Sequence, residues 1–176
     1  VLLKRETSLL SRLPARAGAV LILLFLSVTG HAAPAKIDLD TFDAQKATVT
    51  LANGQVLAYV QMGNPHGPAV VLIHGYTDNA RDWVPLVPYL APQLRLILVD
   101  IRGHGRSAKP ECCYTRLDFA YDIKLLLDAL HIERADIVGH SLGSIIAQTF
   151  AEFWPERTRR VVLIASSGGH RPGTVP

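Results

Sequence analysis

Apolar residues along this chain form runs of two kinds. Residues 70–73 are continuously apolar and 94–99 are so except at Arg95, without the every-second-residue alternation of a half-exposed strand. That pattern predicts strands covered on both faces, as in a largely parallel sheet. Residues 161–165 repeat it, and 135–138 do so except at Asp136. Upstream, 48–51 and 56–60 flank Asn53-Gly54, a pair that predicts a tight hairpin turn with positive φ at both central positions. The Asn-Pro-His-Gly-Pro stretch at 64–68 reads as loop.

Helical spacings fill the intervals between these runs. Phe119, Ile123, Leu126, Leu127 and Leu130 share one helical face, and Thr115 with Asp118 three residues later predicts a capping box at its start. Residues 142–153 are apolar nearly all round, which predicts a buried helix that Pro155 stops. The helical character of 83–90 is interrupted by Pro85 and Pro88. Strands separated by helices in this way predict right-handed crossovers and a doubly wound, mostly parallel α/β sheet.

Composition narrows the class. A chain of 176 residues with 49% hydrophobic and 19% charged residues has material for one globular domain and excludes a disordered or disulfide-scaffold protein. Of its 18 basic and 15 acidic side chains, Lys4, Arg5, Arg12, Arg16 and Glu6 lie in the first 35 residues, so the whole formal excess of +3 belongs to that segment. The remainder is balanced and offers no basic stripe for a nucleic-acid partner. The basic residues of the leader precede an apolar run at 17–28, followed by Gly30, Ala32, Ala33 and Ala35. Residues 1–35 therefore read as a secretory signal peptide cleaved after Ala32 or Ala35. The apolar run is shorter than the roughly 20 residues a bilayer span needs, which makes an uncleaved membrane anchor the alternative. Export to the periplasm or beyond is the expected localisation. Residues 36–46 read as a polar linker, and 47–176 as the folded domain. Cys112 and Cys113 are adjacent and are expected as separate loop thiols, because a bond between sequence neighbours closes a constrained ring.

The chemistry concentrates at Gly139-His140-Ser141-Leu142-Gly143, between an apolar strand and an apolar helix. This is the pattern of a nucleophile elbow, in which a serine on a sharp strand-to-helix turn projects its hydroxyl at the sheet edge. Ser141 is the candidate nucleophile. The helix that starts at Leu142 aims unpaired N–H groups and its positive dipole end at the same place, where an oxyanion would develop. Earlier, Ile73-His74-Gly75-Tyr76 closes an apolar strand. The backbone N–H of Tyr76, opposite that of Leu142, would complete an oxyanion hole. Gly75 would allow close approach, and His74 would orient the loop rather than act as base. Gly139, His140 and Gly143 complete the site-shaping set.

With these two elements the chain resembles the N-terminal portion of an α/β-hydrolase-fold protein, over roughly residues 47 to 169. The segment Asp100-Ile101-Arg102-Gly103-His104-Gly105-Arg106-Ser107, Trp83 and Pro155-Glu156-Arg157 are similar to the family's pattern as well. The resemblance implies an α/β-hydrolase fold, truncated here after about the sixth strand. It implies chain order Ser, then acid, then His, so Asp100 and His104 are not expected to form a triad with Ser141. Serine at position 141 sets the chain apart from similar epoxide hydrolases and haloalkane dehalogenases, which place Asp there. What is implied is acyl transfer on an ester or related small-molecule substrate through an acyl-enzyme, with water as the only co-reactant and no cofactor or metal. Only His170 follows the last apolar run, in a Gly-Pro-rich tail, and it is not expected to be the base. The expectation is thus an exported serine hydrolase whose acid and His lie outside this sequence. The alternative is a noncatalytic truncated remnant or binding module.

Overall fold

The computed structural model describes residues 36–90 and 92–166. The expected signal peptide and the His170 tail lie outside the described residues. Six strands form one sheet in the order β1-β2-β4-β3-β5-β6. β1 (Ala47–Thr50) and β2 (Val56–Gly63) are an antiparallel hairpin, and β2 pairs antiparallel with β4 (Arg95–Asp100). β3 (Ala69–Ile73), β4, β5 (Ala135–His140) and β6 (Thr158–Ile164) run parallel. The crossovers are carried by α2 (Arg116–Ala129) and α3 (Leu142–Phe153). The doubly wound, mostly parallel sheet read from the apolar runs is the sheet observed.

The reason the central strands read as unbroken apolar runs is visible in their packing. Val71 and Ile73 of β3, with Ile97 and Val99 of β4, face a cluster built with Phe119, Ile123, Leu126, Ile146 and Phe150 of the two long helices. Val70, Leu72, Leu96 and Leu98 face the other way, onto Phe42, Ala80, Trp83 and Val84. Both sheet faces are therefore buried at the centre. At the edge the burial ends: Val162, Leu163 and Ile164 of β6 are 47%, 41% and 39% exposed.

Local expectations hold where a side-chain cap fixes them. Thr115 and Asp118 form the reciprocal capping box that starts α2, and α3 ends just ahead of Pro155.

Four features differ from expectation. The hairpin turn is one residue longer than the two-residue form: the N–H of Gly54 donates to the carbonyl of Leu51 (2.9 Å) and Leu51 pairs with Gln55, so only Gly54 needs a positive φ, at 81°. Asn53 instead caps the turn, its side-chain oxygen accepting from the N–H of Gln55. The 83–90 stretch is resolved by its prolines into two short 3-10 turns, Ala80–Trp83 and Val87–Tyr89. Cys112 and Cys113 are joined by a disulfide, and Cys113 takes a φ of 74° in the turn that brings the two side chains together.

The fourth correction concerns the expected linker. Residues 36–46 contain α1 (Leu39–Ala44), started by the carboxylate of Asp38 accepting from the N–H of Thr41, and its Phe42 is fully buried. A single aromatic among three aspartates gave no helical period to read, yet it fills the sheet face left open by the short 3-10 turns. Replacing Phe42 with Ala is expected to cost about 3–5 kcal/mol of stability, measured by urea unfolding. An unchanged midpoint would show that this segment is an appendage.

Candidate active site

The strand order creates the site. The chain leaves β3 to form β4 on one side, then returns past β3 to form β5 on the other. Loops leaving the C-terminal ends of β3 and β5 diverge, and ligands of open α/β sheets bind in the crevice at such a switch point. His74, Gly75 and Tyr76 leave one strand there, and Ser141 leaves the other.

Ser141 is exposed and has φ 51° and ψ −114°, a conformation that costs a residue with a Cβ on the order of 1–3 kcal/mol. The surroundings impose it. Its N–H donates to the carbonyl of Ile164 at the end of β6 (2.9 Å), and its carbonyl accepts from the N–H (2.9 Å) and hydroxyl (2.6 Å) of Ser144. Two glycines make room. A Cβ on Gly139 would collide with the backbone of Gly143 and Ser144, and a Cβ on Gly143 with the carbonyls of Ile73 and His74. The first turn of α3 is thereby pressed onto both strand ends, which brings Leu142 to the crevice.

The opposite wall is the loop after β3. A Cβ on Gly75 would lie 3.3 Å from both the Cβ of Ser141 and Nδ1 of His140, so the loop backbone runs directly alongside the serine. His74 is fully buried beneath it. Its Nδ1 lies 2.7 Å from the carbonyl of Gly75 and its Nε2 accepts from the N–H of Ile101 (3.2 Å), an arrangement that fits a neutral ring with the proton on Nδ1. Burial pushes its basicity down from the ordinary imidazole range, while the Gly75 carbonyl pulls weakly the other way. His74 thus ties the loop to the end of β4. Thr77 follows with φ 65°, a second positive-φ residue beside the same crevice.

A cavity of about 740 Å³ opens over these loops, lined by Tyr76, Asp78, His104, Tyr114, Phe119 and Leu142 among others. That volume lies within the range of small-molecule sites. Its wall includes both residues whose amides were read as oxyanion donors.

Asp100 is held away from Ser141, while His104 stays in the cavity wall. The Asp100 carboxylate is fully buried and accepts from Nζ of Lys46 (3.1 and 2.9 Å) and from the N–H groups of Ala80 (2.7 Å) and Arg106 (2.8 Å). His104 packs edge-on against the rings of His74 and Tyr76, with Nδ1 2.9 Å from the carbonyl of Arg102. His140 turns away from the serine it precedes, toward Asp82, with Nδ1 3.1 Å from that carboxylate. Among the described residues no hydrogen bond reaches the hydroxyl of Ser141.

Lys46, Asp122, Asp82 and Ser144 were not read from the sequence. One of them carried a signal: Asp122 lies on the apolar face of α2 between Phe119 and Ile123, where an acidic residue must be paired. Its partner is the buried Arg102, which grips it with Nε (2.5 Å) and Nη2 (2.6 Å). Lys46 and Asp82 depend on contacts across long chain separations and left no local pattern.

A family model described as the alpha/beta hydrolase fold matches residues 68–175. The chain belongs to this family. Among curated relatives, it is 42% identical over 98 residues to 2-(acetamidomethylene)succinate hydrolase of Mesorhizobium japonicum, covering 56% of this chain and 35% of that protein. It is 37% identical over 102 residues to epoxide hydrolase B of Mycobacterium tuberculosis, covering 56% and 29%. Among solved structures, an E-2-(acetamidomethylene)succinate hydrolase superposes with a TM-score of 0.66 at 36% identity, over 69% of this chain and 44% of that one. The chain thus spans about a third of the length of these curated hydrolases. Among the described residues no helix is long and apolar enough to cross a membrane.

The lowered basicity of His74 sets a pH dependence. The unfolded chain binds a proton near the ordinary value of 6.5, while the folded chain resists it, so stability is present above about pH 6.5 and falls on acidification below it. The slope from this one group is at most about 1.4 kcal/mol per pH unit. Urea unfolding between pH 8 and pH 5 is expected to show this loss, and His74→Asn is expected to be less stable at pH 8 but to lose less on acidification. Equal acid slopes in the two proteins would place the His74 proton elsewhere.

Proposed function

We propose that this family member is an exported serine hydrolase that cleaves an ester or related acyl substrate through an acyl-enzyme on Ser141. The observation that carries the reading is the strained Ser141 backbone, set at the sheet's switch point with the Gly75 loop beside it. A fold expends stability on such a conformation where function requires it. Epoxide and succinate hydrolases among the relatives support hydrolysis as the class of reaction, and the serine at the elbow favours an acyl intermediate.

In this reading Ser141 Oγ attacks the acyl carbon and passes its proton to an imidazole base. The oxyanion is held by the N–H groups of Tyr76 and Leu142, the alcohol leaves, and water attacks the acyl-enzyme to release the acid. Asp100 is locked by Lys46 and His140 is turned to Asp82, and the chain order Ser, then acid, then His puts the acid and the base after Ser141. His74 and Gly75 hold the Tyr76 amide in place, and Gly139 and Gly143 hold the serine. The leader at 1–35 serves export.

The test is hydrolysis of p-nitrophenyl acetate and butyrate by the full-length protein. A burst of p-nitrophenol equal to the enzyme concentration is expected, with steady-state turnover reduced by about 10⁴-fold or more in Ser141→Ala. Undiminished turnover in that variant would overturn the reading.

A further inference from the structure

Next to the cavity wall lies a group that the acyl chemistry does not use. Cys112 and Cys113 are bonded to each other, are both exposed, and immediately precede Tyr114, which lines the cavity. The bond closes a ring across a single peptide link. Within it Cys113 has φ 74°, a region that non-glycine residues seldom occupy without an external constraint.

That conformation aims the Cys113 carbonyl at Nη1 of Arg102, which donates to it at 2.6 Å. Arg102 has no freedom to follow a moving partner, because Nε and Nη2 are fixed on buried Asp122. Asp122 in turn accepts from Nδ2 of Asn53 (2.9 Å). On the far side of Cys113, the Tyr114 ring lies against Gly103, where a Cβ would stand 2.6 Å from its Cε1, and the Tyr114 hydroxyl donates to the carbonyl of Pro110 (2.6 Å). Gly103 and His104, the residues after Arg102, also line the cavity. The ring therefore sits between a buried ion pair and the Tyr114 ring in the cavity wall.

We propose that Cys112 and Cys113 form a reversible thiol–disulfide site that sets the position of Tyr114 in the cavity wall. The reductant is a dithiol, small or protein-borne. One of its thiolates attacks a sulfur of the pair, which breaks the Cys112–Cys113 bond and forms a mixed disulfide. Its second thiolate then attacks that bond, and the remaining cysteine leaves as thiolate. Two electrons and two protons pass to the cysteines, and the reductant leaves as a cyclic disulfide. A small-molecule disulfide reverses the process. Exposure favours such exchange. Once the ring opens, Cys113 relaxes out of the positive-φ region, its carbonyl leaves Arg102, and Tyr114 separates from Gly103.

The test does not require turnover, so it stands or falls apart from the hydrolase reading. The full-length protein is treated with oxidised glutathione or with dithiothreitol, and its intact mass and amide hydrogen exchange are compared. The oxidised form is expected to be lighter by about 2 Da and to take no alkylation at either cysteine, the reduced form to take two labels. Exchange in peptides covering 101–105 and 110–119 is expected to rise on the order of tenfold on reduction, as for the loss of one hydrogen bond to a charged group. It is expected to return on reoxidation. A Cys112→Ala/Cys113→Ala double variant is expected to exchange like the reduced protein whatever the reagent. Thiols that stay free in oxidised glutathione, or equal exchange in both states, would overturn the proposal.

Discussion

The turn between β5 and α3 is the constraint on which the rest of this molecule depends. Ser141 can hold a positive φ only because its N–H and carbonyl are both bonded to fixed partners, Ile164 on β6 and Ser144 on α3. Those partners stand where they do because Gly139 and Gly143 let α3 close onto the ends of β5 and β3. The same compression places Leu142 in the cavity wall. Strain, close helix packing and the place of Leu142 in the cavity wall are thus one arrangement, and a side chain at either glycine would disturb all three together.

A second layer holds the loops that face the serine. Asp100, at the end of β4, gathers the amides of Ala80 and Arg106 and the amine of Lys46 around one buried carboxylate. His74 bridges the β3 loop to Ile101. Arg102 and Asp122 join the segment after β4 to α2. Removing one partner of such a buried pair leaves the other unpaired at a cost of about 3–5 kcal/mol, so these charges act as positional fasteners for the cavity wall. Each fastener ties a loop at the C-terminal edge of the sheet to another part of the fold.

The legible and illegible parts divide along physical lines. Apolar runs announced β3 and β4 because both faces of those strands are buried, while β5 is fully buried only at every second residue. Thr115 and Asp118 announced the start of α2 because a capping box is local. The Gly-x-Ser-x-Gly spacing announced the elbow because the pattern itself is short, although only the demand on Gly139 is local and that on Gly143 comes from the end of β3. Lys46, Phe42 and Asp82 act through partners 54, 18 and 58 residues away or more, as with Lys46 on Asp100 and His140 on Asp82, and no short window of sequence contains such pairs. The Cys112–Cys113 bond was misread because adjacency argues against it in general, while the αL turn at Cys113 permits it here.

The most direct measurement is covalent labelling of the full-length protein with a fluorophosphonate, followed by peptide mapping. The geometry predicts one adduct per chain, carried by the peptide that contains Ser141 and absent when that residue is Ala. Failure to label, or an adduct on another serine, would contradict the account, because the strained elbow would then serve no nucleophile.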